Sequence, residues 1–355
     1  MAQITNFFVG ANSGEGFQNL FSRLVDLEDT YDFMVLKGGP GVGKNTFMRE
    51  LGRTMEQAGA AVEYLWCSGD PDSLDGVVFP EIRCAVADGT SPHVIEPQYP
   101  AAVDRYVDLG RFYDLPAAKA SAAEVKAHTR AYKAAYVRAY HCLKAARQVD
   151  LDAVASVRAG FDGEKLDRRV GGIIGRELRR RGGERGRTAY RFLGSVTHKG
   201  AVWRFDSVDV LCPKVYEFAD SWELAGAALG RLHRAAEENG WDTVVCLSPE
   251  DTSRVEHLLV PGLGLAFVTS RPGMDYGRKP YRRIRLDAMC AVEGRARLRF
   301  QGRMAALLRE EGVAALREAK ANHDKLEAVY NPYVDFDGVR ELAAIESGRL
   351  LSYLG

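Results

Sequence analysis

Glycine and lysine are concentrated in one short stretch, KGGPGVGKNT, which runs from Lys37 to Thr46. Glycines in such a stretch let successive backbone N–H groups point at one anion, and a lysine at its end adds a positive charge for phosphate groups. The stretch meets the G-x-x-x-x-G-K-[ST] pattern of a phosphate-binding loop except at its last position, where Asn45 replaces Ser or Thr. We therefore predict a nucleoside triphosphate site formed by Gly38, Gly39, Gly41, Val42, Gly43, Lys44, Asn45 and Thr46.

Acidic residues follow two strand-like segments beyond this loop. Asp88 directly follows the apolar run 82–87, and the polar segment CSGDPDSLDG carries Asp70, Asp72 and Asp75. Because ligands of open α/β sheets bind at the carboxyl ends of the strands, we expect these carboxylates to face the phosphates. We predict Lys44, Asp88 and Asp75 as catalytic residues, and Asn45, Thr46 and Asp88 as ligands of Mg²⁺, directly or through water. An alternative stays open, in which the Asp-Pro-Asp-Ser sequence only caps and turns the chain.

Two further features have both a functional and a simpler interpretation. His93, in the segment DGTSPH, has the chemistry to donate a hydrogen bond to phosphate, but a lone loop histidine is more often polar surface. The run from Arg168 to Arg191 contains nine arginines, which either close over a phosphate site as a lid or form solvated surface. We favour the surface interpretation for both features.

Composition indicates a globular protein of about two domains. The 355 residues include 48 basic and 48 acidic side chains, so no bulk charge favours nucleic acid or a membrane as a partner. The six cysteines stand singly, without a CxxC pair or a Cys/His cluster, which is typical of reduced thiols. Because we find neither a leader nor a run of about 18 apolar residues, we expect a cytoplasmic protein.

The sequence repeats itself at long range. Four pairs of segments occur in the same order in both halves: FFVGANSGEGF with RFLGSVTHKGA, LGRTMEQAGAAVEYLWCS with LGRLHRAAEENGWDTVVCLS, VVFPEIRCAVADGTS with LLVPGLGLAFVTS, and VDLDAV with VDFDGV. Four matches in one order indicate an ancient duplication, with its boundary near residues 179–187. We predict a nucleotide-binding domain with a helical extension at residues 1–185, and a degenerate repeat with a helical C-terminus at residues 186–355.

The second copy lacks the phosphate loop. When the paired segments are aligned, Ser221 and Trp222 stand opposite the Gly-Lys pair of the loop, and Thr269 stands opposite Asp88. Without the glycines and the lysine, this half has no means of holding a triphosphate in the same way. We expect it to have a structural, regulatory or substrate-facing role.

The pattern of apolar residues places the glycine-rich stretch between a strand and a helix. The run 33–37 predicts a buried strand, and apolar residues then recur at helical spacing from Lys44 to Gly59. The runs 62–66 and 82–87 predict two more strands, and the sequence that follows is almost wholly helical. We predict an α/β fold with a P-loop NTPase-like parallel sheet covered by helices, duplicated, with helix-rich extensions after each sheet.

A family resemblance is carried by four phrases: FFVGANSGEGF, KGGPGVGK, CSGDPDSLDG and above all PEIRCAVADGTSPHVIEPQYPAAVD. They resemble an uncharacterised family of bacterial P-loop ATPases, in which two P-loop domains are joined head to tail, and the resemblance covers nearly the whole chain. It implies ATP binding by residues 38–46 and a metal-side role for Asp88. The loop GGPGVGKNT is also similar to that of adenylate-kinase-like enzymes, of the form GGPGxGKxT, which implies that Asn45 is compatible with nucleotide chemistry.

These observations lead to one main hypothesis and two alternatives. The main hypothesis is a Mg-dependent ATPase with one competent and one degenerate nucleotide site, using ATP and Mg²⁺ as cofactors. The first alternative is a small-molecule or nucleotide kinase, whose acceptor enters by the segment from Asp70 to Asp75. The second is a non-catalytic ATP-sensing protein, in which ATP would order the two halves without turnover. A protein partner belongs to the main hypothesis, where it would complete the site for hydrolysis.

Overall fold

The computed structural model describes residues 2–355, in which two halves contain similar elements in the same order, apart from the short helices α2 and α5, which each occur in one half. The first half contains β1 (Ile4–Phe7), β2 (Gly10–Ser13), β3 (Gly16–Asn19), β4 (Asp32–Lys37), α1 (Lys44–Gln57), β5 (Val62–Trp66), β6 (Leu74–Phe79), β7 (Cys84–Asp88), β8 (Asp104–Asp108), α2 (Leu115–Ala118), α3 (Ala122–Arg158) and α4 (Gly163–Glu177). The second half contains β9 (Thr188–Arg191), β10 (Gly194–Thr197), β11 (Gly200–Trp203), α5 (Phe205–Leu211), β12 (Lys214–Ala219), α6 (Gly226–Glu238), β13 (Thr243–Ser248), β14 (Asp251–Val260), β15 (Leu265–Ser270), β16 (Arg282–Arg285), α7 (Arg295–Tyr330) and α8 (Phe336–Ser352).

Each half is built on a six-stranded sheet. The strand order is β1-β5-β6-β7-β4-β8 in the first half and β9-β13-β14-β15-β12-β16 in the second, so the expected α/β class and duplication are confirmed. The expected parallel sheet is wrong in one respect, because β6 and β14 run antiparallel to both of their neighbours. Only residues 67–73 separate β5 from β6, and a link of that length is too short for the crossover that a parallel pair needs.

The two strands nearest to the glycine-rich stretch are buried on both faces. Every residue of β7 is buried, as are five of the six residues of β4, which explains why both read as apolar runs rather than as alternating patterns. Helix α1 covers one face of this sheet with its buried side chains Phe47, Met48, Leu51 and Met55. The helical spacing of these residues in the sequence therefore corresponds to a real core face.

The structure corrects the register of two repeat pairs. In each half the helix after the loop ends at a glycine with a positive φ, Gly59 or Gly240. When the two helices are aligned on these glycines, Leu51 pairs with Leu232. The sequence alignment paired Leu51 with Leu229, three residues earlier. A three-residue slip keeps the same helix face buried, so both leucines fit the pattern. The phrases VDLDAV and VDFDGV are not equivalent either: the first lies inside α3, whereas the second leads into α8.

The two halves are interlocked rather than joined end to end. Phe8 and Phe192 exchange two backbone hydrogen bonds of 2.9 and 2.8 Å, and one hydrophobic cluster contains residues of both halves. The last helix of each half packs on the other half: α8 contacts α1, and α4 contacts α6. Arg105 fixes α8 through Glu346 at 2.8 Å while also binding Asp32 at 2.9 Å. The packing units therefore cross the boundary near residue 185 that the repeat suggests.

The longest helices, α3 and α7, pack along each other and run antiparallel. Ion pairs Arg138–Glu318 and Arg309–Asp150 join them, and Ser121 and Tyr333 are hydrogen-bonded near one end at 2.8 Å. No helix within residues 2–355 combines the length and the apolar character needed to cross a membrane.

Candidate functional site

Residues 38–43, which we call the glycine loop, connect β4 to α1. Gly41 and Gly43 have φ values of 74° and 95°, in the left-handed region that glycine adopts without strain, and Gly43 is the N-cap of α1. The outer side of the loop packs closely against the second half, since a Cβ atom on Gly41 would lie 2.8 Å from Asn331 Oδ1 and 3.1 Å from the Glu327 carbonyl oxygen. The loop therefore has both the conformation and the surroundings of a fixed turn at a helix N-terminus.

Lys44 and Asp88 meet at this loop. The Lys44 ammonium donates to the carbonyl oxygens of Gly38 at 2.7 Å and Gly39 at 3.0 Å, and it lies 3.6 Å from Asp88 Oδ2. Asp88 is the last residue of β7, which is the direct neighbour of β4. The structure thus brings together the lysine and the carboxylate that the sequence placed 44 positions apart.

The segment after β7 holds the Asp88 side chain in one orientation. Asp88 Oδ1 accepts hydrogen bonds from the Thr90 N–H at 2.8 Å and the Thr90 hydroxyl at 2.6 Å, which leaves Oδ2 on the side of Lys44. Lys37, at the end of β4, ties this segment to the sheet by donating to the Gly89 and Ile95 carbonyl oxygens, each at 2.9 Å. Asp88 keeps one oxygen outside these bonds, and a carboxylate oxygen is a ligand that Mg²⁺ accepts, so the residue fits the metal-side role.

Asp75 is the one carboxylate of its segment that reaches this site. It is 3% exposed, and burial raises the pKa of its carboxyl group above the usual value; His93 and Lys44 oppose that effect, whereas Asp88 adds to it. Its Oδ2 atom lies 3.5 Å from His93 Nε2 and has no hydrogen-bond partner. Burial also raises the pKa of the neighbouring Cys67 thiol well above its usual value, so this cysteine stays protonated.

Asp70 and Asp72 hold the loop between β5 and β6 against its neighbours instead. Asp70 accepts from the Ser73 hydroxyl at 2.9 Å and lies 3.3 Å from the Lys320 ammonium. Asp72 forms an ion pair with Lys199. Both lysines belong to the second half, so these two carboxylates fasten the halves together and agree with the structural interpretation of the Asp-Pro-Asp-Ser sequence.

One of the residues predicted as Mg²⁺ ligands, Asn45, has its side-chain oxygen bound within the fold. Asn45 Oδ1 accepts hydrogen bonds from Arg49 Nε and from the Leu74 N–H, both at 3.1 Å, so its two lone pairs are already used. Thr46 is exposed on α1. Asn45 therefore anchors β6 to α1, and its side chain does not fit the metal contact expected of Ser or Thr at this position.

His93 is the residue whose environment the sequence did not reveal. We expected polar surface, but it is only 8% exposed, and its ring centroid lies 4.4 Å from that of Phe21 and 5.3 Å from that of Phe17. Both phenylalanines lie some 70 residues earlier in the chain. His93 is buried because these two rings lie against it in the folded chain. No local sequence pattern indicates such a contact.

The arginine-rich run connects the halves. Arg191 binds Glu63 at 2.6 Å, Arg185 binds Glu237 at 3.0 Å, and Arg187 pairs with Asp29. Across residues 2–355, no hydrogen bond or ion pair joins the run 168–191 to the glycine loop or to Lys44. These contacts favour a connecting surface over a lid.

In the equivalent loop of the second half, residues 220–225, an acidic side chain of the loop itself binds the backbone N–H groups. Asp220 accepts hydrogen bonds from the backbone N–H groups of Ala225 at 2.8 Å, Leu224 at 2.9 Å and Trp222 at 3.3 Å. In the corrected register Leu224 and Ala225, rather than Ser221 and Trp222, stand opposite Gly43 and Lys44. A carboxylate thus occupies the place that a phosphate takes at a helix N-terminus, and no lysine accompanies it.

Removing that carboxylate is expected to destabilise the second half. Asp220→Ala would leave three N–H groups in a buried loop without an acceptor, at a cost of about 2 kcal/mol in the free energy of unfolding. Urea denaturation measures this, with Asp251→Ala as the matched control, since Asp251 accepts two hydrogen bonds from Ser253 at the exposed start of β14. Equal losses in the two variants would contradict the role given to Asp220.

Comparison with known proteins adds no relative. No family model, no curated protein and no solved structure matches the chain. The resemblance to tandem P-loop ATPases therefore stays a prediction, and the case for a function has to be made from the site itself.

Proposed function

We propose that this protein binds Mg·ATP at the glycine loop of its first half and hydrolyses it slowly in the cytoplasm. The observation that carries the proposal is the convergence of Lys44, the carbonyl oxygens of the loop and Asp88 Oδ2 at the N-terminus of α1, with distances of 2.7 to 3.6 Å. A lysine beside a glycine-rich helix N-terminus favours phosphate, and an adjacent carboxylate favours the accompanying cation. Six free cysteines support a reducing compartment.

Each residue of the site has a role in this proposal. The loop N–H groups and Lys44 bind the phosphates and stabilise the charge that develops on them during transfer. Asp88 would hold Mg²⁺ through Oδ2, the oxygen on the side of Lys44, and the ion would supply positive charge to neutralise the phosphates. Asp75, buried on the neighbouring strand, is the group available for the proton of an attacking water molecule.

The contacts of the segment before Asp75 favour hydrolysis over transfer to a small acceptor. The kinase hypothesis needs this segment to receive the acceptor, but Asp70 and Asp72 already have the partners Lys320 and Lys199. A carboxylate that is held in an ion pair across the two halves is poorly placed to bind another molecule. The ATPase hypothesis does not depend on these two residues.

An ATP-sensing role is the second candidate, because the second half touches the loop directly. Gly41 packs against Glu327 and Asn331 at the end of α7, and a Cβ atom on Gly43 would lie 3.3 Å from Val339 of α8. A change in the loop on binding phosphate would therefore alter contacts with both helices. Sensing and hydrolysis are compatible, and turnover distinguishes them.

The test is equilibrium binding of ATP, with and without Mg²⁺, combined with phosphate release from ATP. We expect binding that weakens when EDTA removes Mg²⁺, and slow phosphate release that requires no acceptor. Binding without release would favour the sensor, whereas release that appears only with an added metabolite, together with a phosphorylated product, would favour the kinase. Absence of binding at millimolar ATP would refute the proposal.

A further inference from the structure

Asp75 occupies the extra position of a β-bulge. On β5, Trp66 pairs with Leu74 and Leu65 pairs with Gly76, so Asp75 has no partner residue on that strand. A bulge turns a side chain out of the regular alternation of a strand and is often found beside functional sites. On the other side of β6, Gly76 pairs with Ala87, so the next residues along the two antiparallel strands are Asp75 and Asp88. The bulge therefore places Asp75 at the strand position beside Asp88.

His93 is the group that faces this carboxylate. Its Nε2 atom lies 3.5 Å from Asp75 Oδ2, and each side chain keeps a buried polar atom, Asp75 Oδ2 and His93 Nδ1, without any hydrogen-bond partner. Leaving buried polar atoms unpaired costs stability, so a buried pair of such atoms calls for an explanation, and a catalytic role is one.

In the second half, for which we propose no chemistry, the position equivalent to Asp75 has different surroundings. Glu256 occupies the equivalent bulge, between Val255 and His257, which pair with Leu247 and Cys246. There Arg271 binds the Glu256 carboxylate at 2.7 Å. The residue of the first half that is equivalent to Arg271 is Thr90. The fold can therefore supply an arginine to an acid at this bulge, whereas in the first half the group in direct contact with the acid is the His93 imidazole.

We infer that Asp75 and His93 form a catalytic dyad of the proposed ATPase, in which Asp75 takes the proton of the attacking water and His93 positions the Asp75 carboxylate. The inference rests on the proposed function. In the step, the water oxygen forms a bond to the terminal phosphorus, and the bond to the bridging oxygen breaks. The nucleoside diphosphate leaves with that electron pair, and the proton passes from water to Asp75 and then to solvent. An arginine at the position of Thr90, equivalent to Arg271, would hold the Asp75 carboxylate ionised too firmly to take a proton.

The experiment compares variants of His93 that separate packing from hydrogen bonding. His93→Phe keeps an aromatic ring against Phe17 and Phe21 but removes the ring nitrogen that lies 3.5 Å from Asp75 Oδ2, whereas His93→Gln keeps an N–H group at a similar reach. We expect His93→Phe to lower kcat for phosphate release about 30-fold, with the KM for ATP and the affinity for Mg·ADP unchanged. We expect His93→Gln to retain more of the wild-type kcat than His93→Phe.

A double-variant comparison tests whether His93 acts through Asp75. Asp75→Asn is expected to lower kcat at least as much as His93→Phe, and the double variant is expected to match Asp75→Asn alone, because the two residues act as one unit. Circular dichroism and urea denaturation confirm folding, and if His93→Phe does not fold, His93→Gln and Asp75→Asn carry the comparison.

The possible failures are distinguishable. If the wild-type protein hydrolyses ATP but His93→Phe keeps the wild-type kcat, changes only KM, or adds its effect in full to that of Asp75→Asn, the dyad is refuted while the proposed ATPase stands. If the wild-type protein binds Mg·ATP without hydrolysing it, the dyad is likewise refuted and the sensor remains. If the wild-type protein does not bind Mg·ATP, both the dyad and the proposed function are refuted.

Discussion

Replacing Lys44 with alanine is expected to weaken Mg·ATP binding about 100-fold and to abolish measurable phosphate release. The ammonium is the one cation within 4 Å of Asp88 among residues 2–355, and it lies at the N-terminus of α1, where its charge adds to that of the loop N–H groups. A loss of about 2.7 kcal/mol is the usual cost of removing a charged donor from a phosphate or oxyanion site. Isothermal titration with Mg·ATP measures the change in affinity.

The matched control is Lys165→Ala, which removes an exposed lysine on α4. It changes net charge by the same amount, so it separates a specific phosphate contact from general electrostatic attraction. We expect it to leave affinity and turnover unchanged. If Lys44→Ala binds Mg·ATP as tightly as Lys165→Ala does, the glycine loop is not the nucleotide site.

Replacing Arg271 with methionine is expected to reduce the free energy of unfolding by about 3–4 kcal/mol. The variant would leave Glu256, which is 5% exposed, without its arginine partner at 2.7 Å. An unpaired buried carboxylate costs far more than the ion pair contributes, so Arg271→Met combined with Glu256→Leu should recover much of the loss. Urea denaturation of the single and double variants provides the measurement.

The control for this prediction is Arg278→Met, which breaks an ion pair with Asp209 at 3.0 Å whose arginine is mostly exposed. Ion pairs of that kind contribute about 0–1 kcal/mol. A loss in Arg271→Met no larger than in Arg278→Met would show that Glu256 does not depend on the arginine.

The same ion pair makes a contribution to stability that depends on pH. Although burial alone would raise it, Arg271 and His257 hold the pKa of Glu256 far below its ordinary value of 4.5. For a carboxylate whose pKa is lowered by folding, the stabilisation is complete above pH 4.5 and is lost as the pH falls below that value. Glu256→Gln should therefore flatten the dependence of stability on pH in the acid range, relative to the wild-type protein.

The two halves differ in how charge is balanced at the loop before the helix and at the β-bulge. In the second half Asp220 fills the anion position of the loop, and Arg271 neutralises the acid at the bulge, so the charges are satisfied within the chain. In the first half the loop is followed by a lysine, and the acid at the bulge has no arginine. The first half thus keeps charged groups that are not neutralised in the same way, which is the asymmetry that the proposed function requires.

Features that depend on local pattern could be predicted from the sequence. The glycine loop, the helix after it and the strand ending in Asp88 were each predicted, because backbone conformation at glycine and the periodicity of buried residues act over a few positions. The duplication was also predicted, but the sequence alignment of the two helices was wrong by three residues, because Leu229 and Leu232 lie on one buried face. Asn45 was assigned to the metal from its position alone, whereas its oxygen binds Leu74 and Arg49.

The acid that lies beside Lys44 and Asp88, and the groups around it, could be identified only from the folded chain. Asp70, Asp72 and Asp75 are alike in the sequence, and the bulge in β6 together with the lysines of the other half separates them. His93 becomes buried through rings some 70 residues away. The exchange of α4 and α8 between the halves likewise arises from contacts between distant segments. Such contacts have no signature in a local pattern, because burial and pairing depend on which surfaces meet once the chain has folded.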